Sequence, residues 1–103
     1  MNVLLVILLS VLPITNPNRI LNIYAKDKSD ASYREQMRIF AADPKGLKER
    51  DLVIKEHFGV SNFKITLIGK DGGEKYTSKS VLTLKKLYGI IDVMPMRKDE
   101  MKQ

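Results

Sequence analysis

Residues Ile65–Ser78 read ITLIGKDGGEKYTS, two strand-forming runs on either side of Lys70-Asp71-Gly72-Gly73. Phe63, Ile65 and Leu67 alternate with Lys64 and Thr66, so an extended chain here has one apolar face. Asp-Gly is a strong hairpin signal because glycine takes positive φ without steric cost. EKYTS over residues 74–78 is then the returning strand. A glycine-rich turn beside a lysine also suits a phosphate cradle, but the spacing argues against it. A P-loop needs GxxxxGK followed by Ser or Thr at the start of a helix, and this turn precedes a strand. What remains is a hairpin whose tip is free to contact a partner.

Upstream, Asn16-Pro17-Asn18 is turn chemistry, and RILNIYA over Arg19–Ala25 is a short β-branched and aromatic run suited to a buried strand. Ser29 or Asp30 is placed to cap a helix in which Tyr33, Met37, Phe40 and Ala41 share one face. Pro44-Lys45-Gly46 closes that unit, and DLVIKE over Asp51–Glu56 forms the second strand. This β-α-β order argues for two parallel strands with a right-handed crossover. His57–Asn62 then links the second strand to the third, with His57 read as a loop residue. A parallel return needs about a dozen residues or more. The third strand is therefore antiparallel, reached by a step across one intervening strand.

Downstream, Thr83 caps a helix in which Leu84, Leu87, Tyr88, Ile91 and Met94 share a face. Gly89 weakens it and Pro95 stops it, leaving RKDEMKQ over residues 97–103 as a charged, solvated tail. The fold class is α/β. It is a β-α-β unit followed by a β-hairpin and a C-terminal helix, shortened between the second and third strands. That is the pattern of a thioredoxin-like domain.

MNVLLVILLSVLPIT, residues 1–15, holds a nearly unbroken apolar run from Val3 to Leu12. About ten apolar residues are too few to span a bilayer and suit the central region of a signal peptide. No Lys or Arg precedes the run and no A-x-A-like site follows it. The competing reading is a buried first strand or helix. The expected organisation is a signal peptide over 1–15, a thioredoxin-like domain over 16–103 and a secreted protein, with no stable membrane span.

The chain of 103 residues carries 44% hydrophobic and 29% charged residues, a composition that folds rather than stays disordered. It has no cysteine, which removes disulfides, thiolate metal sites and cysteine-based catalysis. The formal charge is +6. An excess of lysine attracts polyanions such as acidic polysaccharide or nucleic acid. The lysines are dispersed, however, and Tyr76 and Tyr88 make no stacking platform. A solvated surface is the plainer reading, and no nucleic-acid partner is expected.

ERDLVIKE, FKITLIGKDGGEKYTS and IIDVMPMRKDEM closely resemble the signature blocks of a peroxiredoxin-like domain of unknown function. That domain occurs in secreted bacterial proteins and in animal extracellular proteins, including sushi-repeat-containing and coiled-coil-domain matrix proteins. NRILNIYA is similar to its opening strand, and the likeness spans about Asn18–Lys102. The chain is shorter than that family before Arg19 and between Glu56 and Phe63. The resemblance implies a thioredoxin-like fold, an extracytoplasmic location and matrix or cell-adhesion association, with no established enzymatic activity. It marks Lys70, Asp71, Gly72 and Gly73, and then Met94, Pro95, Met96 and Arg97, as signature residues and candidate partner contacts.

Redox chemistry on such a fold needs a thiol just after the first strand, where this chain reads Lys26-Asp27-Lys28-Ser29-Asp30. Ser29 has no adjacent base, and Asp27 and Asp30 disfavour an anion at that helix start. His57 is the only histidine, so no catalytic triad and no multi-histidine metal site can be built within one chain. Met94, Met96 and Met101 suit a soft Cu(I) site on paper, with packing the plainer role for Met94. No catalytic, metal or cofactor residue is assigned. The expected function is a secreted, non-catalytic binding domain for extracellular protein or acidic polysaccharide. The alternatives are an enzyme of unrecognised type using Lys70, Asp71 or Arg97, and a truncated product without independent function.

Overall fold

Strand β1, Arg19–Ala25, alternates between buried and half-buried residues along its whole length. The computed structural model describes residues 16–102; the signal-peptide reading of residues 1–15 lies outside the described residues. After β1 comes helix α1, Ala31–Ala41, capped by Asp30, whose Oδ2 accepts the Tyr33 N–H at 2.9 Å. Ser29 instead donates to Asp27. The buried stripe of α1 is Tyr33, Gln36 and Phe40. Ala41, expected on that stripe, is the last residue of the helix, next to its C-cap Ala42, and is exposed.

Pro44-Lys45-Gly46, expected only to close the preceding unit, instead starts a second helix, α2, Pro44–Glu49. Proline fits the first turn because its missing N–H would have no helical partner there. Strand β2, Leu52–Phe58, runs two residues beyond the expected end and takes in His57, so His57 is a strand residue rather than a loop residue. Strand β3, Lys64–Ile68, and strand β4, Glu74–Ser78, form the hairpin. Of the turn glycines only Gly72 has positive φ, at 84°. Gly73 instead donates its N–H to Asp71 Oδ1 at 2.9 Å.

Helix α3, Leu84–Ile91, is capped by Thr83 as its sequence indicates. It ends before Met94. Met94 is the extended N-cap of a further helix, α4, Pro95–Met101. The segment expected as a solvated tail is thus helical, and Pro95 opens a helix instead of only stopping one. Arg97 and Glu100 fasten α4 to the body of the domain through ion pairs with β1 and β3–β4 residues and with Asp92.

The four-stranded mixed sheet has the order β2-β1-β3-β4, with β1 and β2 parallel and β1–β3 and β3–β4 antiparallel. The chain passes from β2 to β3 across the end of β1 through residues 59–63. Gly59 N–H reaches Lys26 O at 3.0 Å on the way. A link so short lays down no helix. The core sits on one face, where Leu21, Ile23, Ala25, Ile65 and Leu67 meet Phe40, Leu47, Leu82, Leu87 and Ile91 from the helical side. Each of the leucine, isoleucine and phenylalanine side chains contributes about 1.5–3 kcal/mol of burial. On the opposite face of the three inner positions of β1, the register places Ile20, Asn22 and Tyr24 beside Val53, Lys55 and His57 on one side and Ile68, Thr66 and Lys64 on the other.

Candidate functional site

Sequence periodicity puts Arg19 on the buried face of β1, where its side chain is only 1% exposed. A guanidinium cannot remain there unpaired without a large desolvation cost. Its Nη1 and Nη2 donate to the two carboxylate oxygens of Glu100 at 3.2 and 3.0 Å, and Nη1 also donates to Arg50 O at 2.9 Å. Lys70, from the hairpin, donates to the same Glu100 and to Asp51, each at 2.8 Å. Arg97, one turn before Glu100, donates to Asp92 Oδ1 at 3.2 Å and to Glu49 O at 3.1 Å. Asp92 in turn accepts two hydrogen bonds from Arg50, whose guanidinium lies 3.7 Å from the centre of the Tyr88 ring. The Tyr88 hydroxyl donates to Asp43, the cap of α2, at 2.9 Å.

Four cations (Arg19, Arg50, Lys70, Arg97) and four carboxylates (Asp43, Asp51, Asp92, Glu100) therefore form one connected, self-neutralised cluster. Burial pushes the Glu100 carboxyl up, but the bonds from Arg19 and Lys70 outweigh it and bring it down to about 2. Burial likewise pulls the Lys70 ammonium down, and its bonds to Asp51 and Glu100 hold it above the ordinary lysine range. The Asp92 carboxyl is lowered chiefly by Arg50, and Tyr88 is pushed up to about 12 by burial and by Asp43. An activated lysine nucleophile needs the opposite shift, and general acid–base work needs groups that titrate near neutrality. This cluster holds its charges fixed, which suits a clamp between elements.

The signature residues separate on this basis. Lys70 and Arg97 enter the cluster and meet through Glu100. Asp71, Gly72 and Gly73 stay at the hairpin tip, where Asp71 pairs with Lys75 at 2.7 Å. Met94 packs against the core edge, Pro95 begins α4, and Met96 is exposed on it. Arg19, Asp43, Arg50, Asp51, Asp92 and Glu100 were not picked out by sequence reasoning. Their signal was available only in part, as the i,i+3 pair Arg97–Glu100 and as a charged residue at an inward position of β1. Asp51 also takes a positive φ of 52°, a conformation that a short polar side chain tolerates better than most.

Lys70, Arg97 and Glu100 all fall in the part of the chain that comparison with known proteins picks out. Among the described residues no helix is long and apolar enough to cross a membrane, and no group of three His, Cys, Asp or Glu is placed to hold a metal ion. No curated protein and no solved structure matches the chain. Residues 54–100, which run from within β2 to within α4, match the family model described as a domain of unknown function, DUF4174.

Proposed function

We propose that the chain is a secreted, non-catalytic binding domain with a thioredoxin-like fold, of the peroxiredoxin-like kind found in extracellular and matrix proteins. In this reading it engages extracellular protein or acidic polysaccharide, needs no cofactor, and has no nucleic-acid partner. The observation that carries the reading is the pairing of Lys70 and Arg97 within a neutral cluster. They are two of the three residues named for the enzyme alternative, and each is paired with carboxylates, with the Lys70 ammonium held above the ordinary lysine range by Asp51 and Glu100. The strand order β2-β1-β3-β4 with a parallel first pair supports the thioredoxin-like assignment.

Two measurements on the full chain test the proposal. Expression with its own N-terminus, followed by N-terminal sequencing of exported material, should return a mature end near residue 16; an uncleaved chain retained in the cell would overturn the secreted assignment. Heparin-affinity chromatography in graded salt should show late elution that moves sharply earlier as salt rises. Elution in the void at low salt removes the polysaccharide partner and leaves protein as the partner class.

A further inference from the structure

The cluster of charges on the helical side has a consequence for the rest of the surface. Because it contains equal numbers of each sign, the whole +6 excess of the chain resides elsewhere. Part of that excess lies on the sheet face away from the helices. The outward positions of β1, β2 and β3, namely Ile20, Asn22 and Tyr24 with their neighbours in register, include no carboxylate, and the β4 row adds Thr77 and, opposite Ile68 at the end of the strand away from Lys79, Glu74. Lys55 on β2, Lys64 on β3 and Lys79 just past β4 are exposed and form no ion pair among the described residues. Nothing among the described helices covers this face, since the five-residue link from β2 to β3 lays none there.

We propose that this outer sheet face is a docking surface for a linear acidic polysaccharide, with Lys55, Lys64 and Lys79 receiving its sulfate or carboxylate groups. The inference rests on the polysaccharide partner proposed above and assigns it a place. Three observations favour it. The lysines are spread across the strands, and β2 to β4 covers three interstrand spacings, about 14 Å. That length fits an oligosaccharide better than a single anion. Between Tyr24, Lys64, Lys79 and the link residues Ser61 and Asn62 lies an open cleft of about 320 Å³. Val60 and Phe63 complete its lining, so it offers an apolar floor for a sugar ring with the Ser61 hydroxyl, the Asn62 amide and the two cations at its rim.

The third observation separates polysaccharide from nucleic acid. Tyr24 and His57 are the aromatic residues of this face, and the Tyr24 ring is engaged from both flanking strands. From β2, His57 stacks on it at 4.6 Å between centroids with 17° between planes. From β3, Lys64 Nζ lies 4.8 Å from its centroid. Asn22 then holds His57 through a 2.8 Å hydrogen bond and donates to Thr66 at 3.3 Å, which fixes the row. The Tyr24 ring is thus already engaged by neighbours from β2 and β3, which disfavours its use as the stacking platform on which single-stranded nucleic acids depend.

The test compares two variants of the full chain that lose the same charge. One is Lys55→Gln/Lys64→Gln/Lys79→Gln; the control is Lys28→Gln/Lys45→Gln/Lys98→Gln, all exposed residues outside the cluster. Binding of a size-defined heparin oligosaccharide is measured by calorimetry over a salt series, and of a single-stranded DNA of equal charge in parallel. Thermal unfolding confirms that both variants keep the native transition. The outer-face variant should lose about tenfold or more in affinity, with the slope of log K against log salt shallower by about two to three, from fewer released counterions. The control should lose less than about threefold. Equal losses in the two variants overturn the placement on this face while leaving the polysaccharide partner standing. A wild-type chain that binds no heparin at low salt overturns the partner and the placement together. Tighter binding of the DNA than of the heparin overturns the choice of polymer.

Discussion

Arg19 and Glu100 lie 81 positions apart in the chain and meet in a two-pronged ion pair, Nη2 to Oε2 at 3.0 Å and Nη1 to Oε1 at 3.2 Å. The pair ties the first residue of β1 to the last turn of α4. Lys70 binds the same carboxylate from the hairpin, so three segments remote in sequence converge on one side chain.

Glu100→Gln should destabilise the domain strongly. The substitution keeps the shape and removes the charge facing two buried cations, and a buried cation left without its counter-charge costs about 3–5 kcal/mol. Because Glu100 is partly solvated, at 23% exposed, a loss of about 2–3 kcal/mol is expected. Urea unfolding gives the size, and amide exchange over residues 95–101 should show α4 opening first. A loss under about 0.5 kcal/mol would mean that the clamp is not what holds α4.

Acid should act through the same carboxylate. Glu100 titrates at about 2 in the folded chain against an ordinary value of 4.5. A depressed carboxyl stabilises the fold fully above its unfolded value, and that contribution disappears as pH falls from about 4.5 towards 2. The shift corresponds to about 3 kcal/mol at 1.36 kcal/mol per unit. Asp92 and Asp43, also lowered, add to the decline in the same direction. Unfolding free energy measured from pH 7 to pH 2 should fall more steeply for the wild type than for Glu100→Gln; parallel curves would refute the assignment.

The strands were legible in the sequence because their determinants are local. RILNIYA and EKYTS show the composition and alternation of strands, and Asp71-Gly72 marks the bend between β3 and β4. The antiparallel placement of β3 followed from a link too short for a parallel return. What could not be read was set by partners distant in sequence. Whether residues 97–101 are a tail or a helix depends on Arg19 and Lys70 waiting for Glu100. His57 looked like a loop residue because its strand role comes from pairing with Tyr24 on the neighbouring strand β1. A pattern in one segment carries no information on a charge supplied by another.

Gln36 offers a test of a buried polar contact of the same long-range kind. Its side chain is fully buried on α1 and binds the Leu82 backbone in both directions, Nε2 to Leu82 O at 2.8 Å and Leu82 N to Oε1 at 2.6 Å. This straps the segment between β4 and α3 onto α1. Gln36→Leu leaves a buried donor and a buried acceptor unmet, each worth about 1–3 kcal/mol. A stability loss of about 2–4 kcal/mol by chemical denaturation is expected. A near-neutral result would show that the segment finds other partners.

Two glycines, both inside helices, should answer the same substitution with opposite signs. Alanine in a helix interior is ordinarily favoured over glycine by about 0.5–1 kcal/mol. At Gly89 of α3 an added Cβ meets nothing within 4 Å, so Gly89→Ala should stabilise by about that amount. At Gly46 of α2 the Cβ would strike the Asp43 carboxylate and, at 2.5 Å, the Tyr88 hydroxyl. Those groups are bonded to each other and to the Gly46 N–H, so neither moves without breaking the cap of α2 or the Tyr88 contact. Gly46→Ala should therefore cost about 1–3 kcal/mol despite its better helix propensity. Melting temperatures of the two single variants decide the matter, since helix propensity alone raises both, whereas the packing of Tyr88 over α2 lowers one and raises the other.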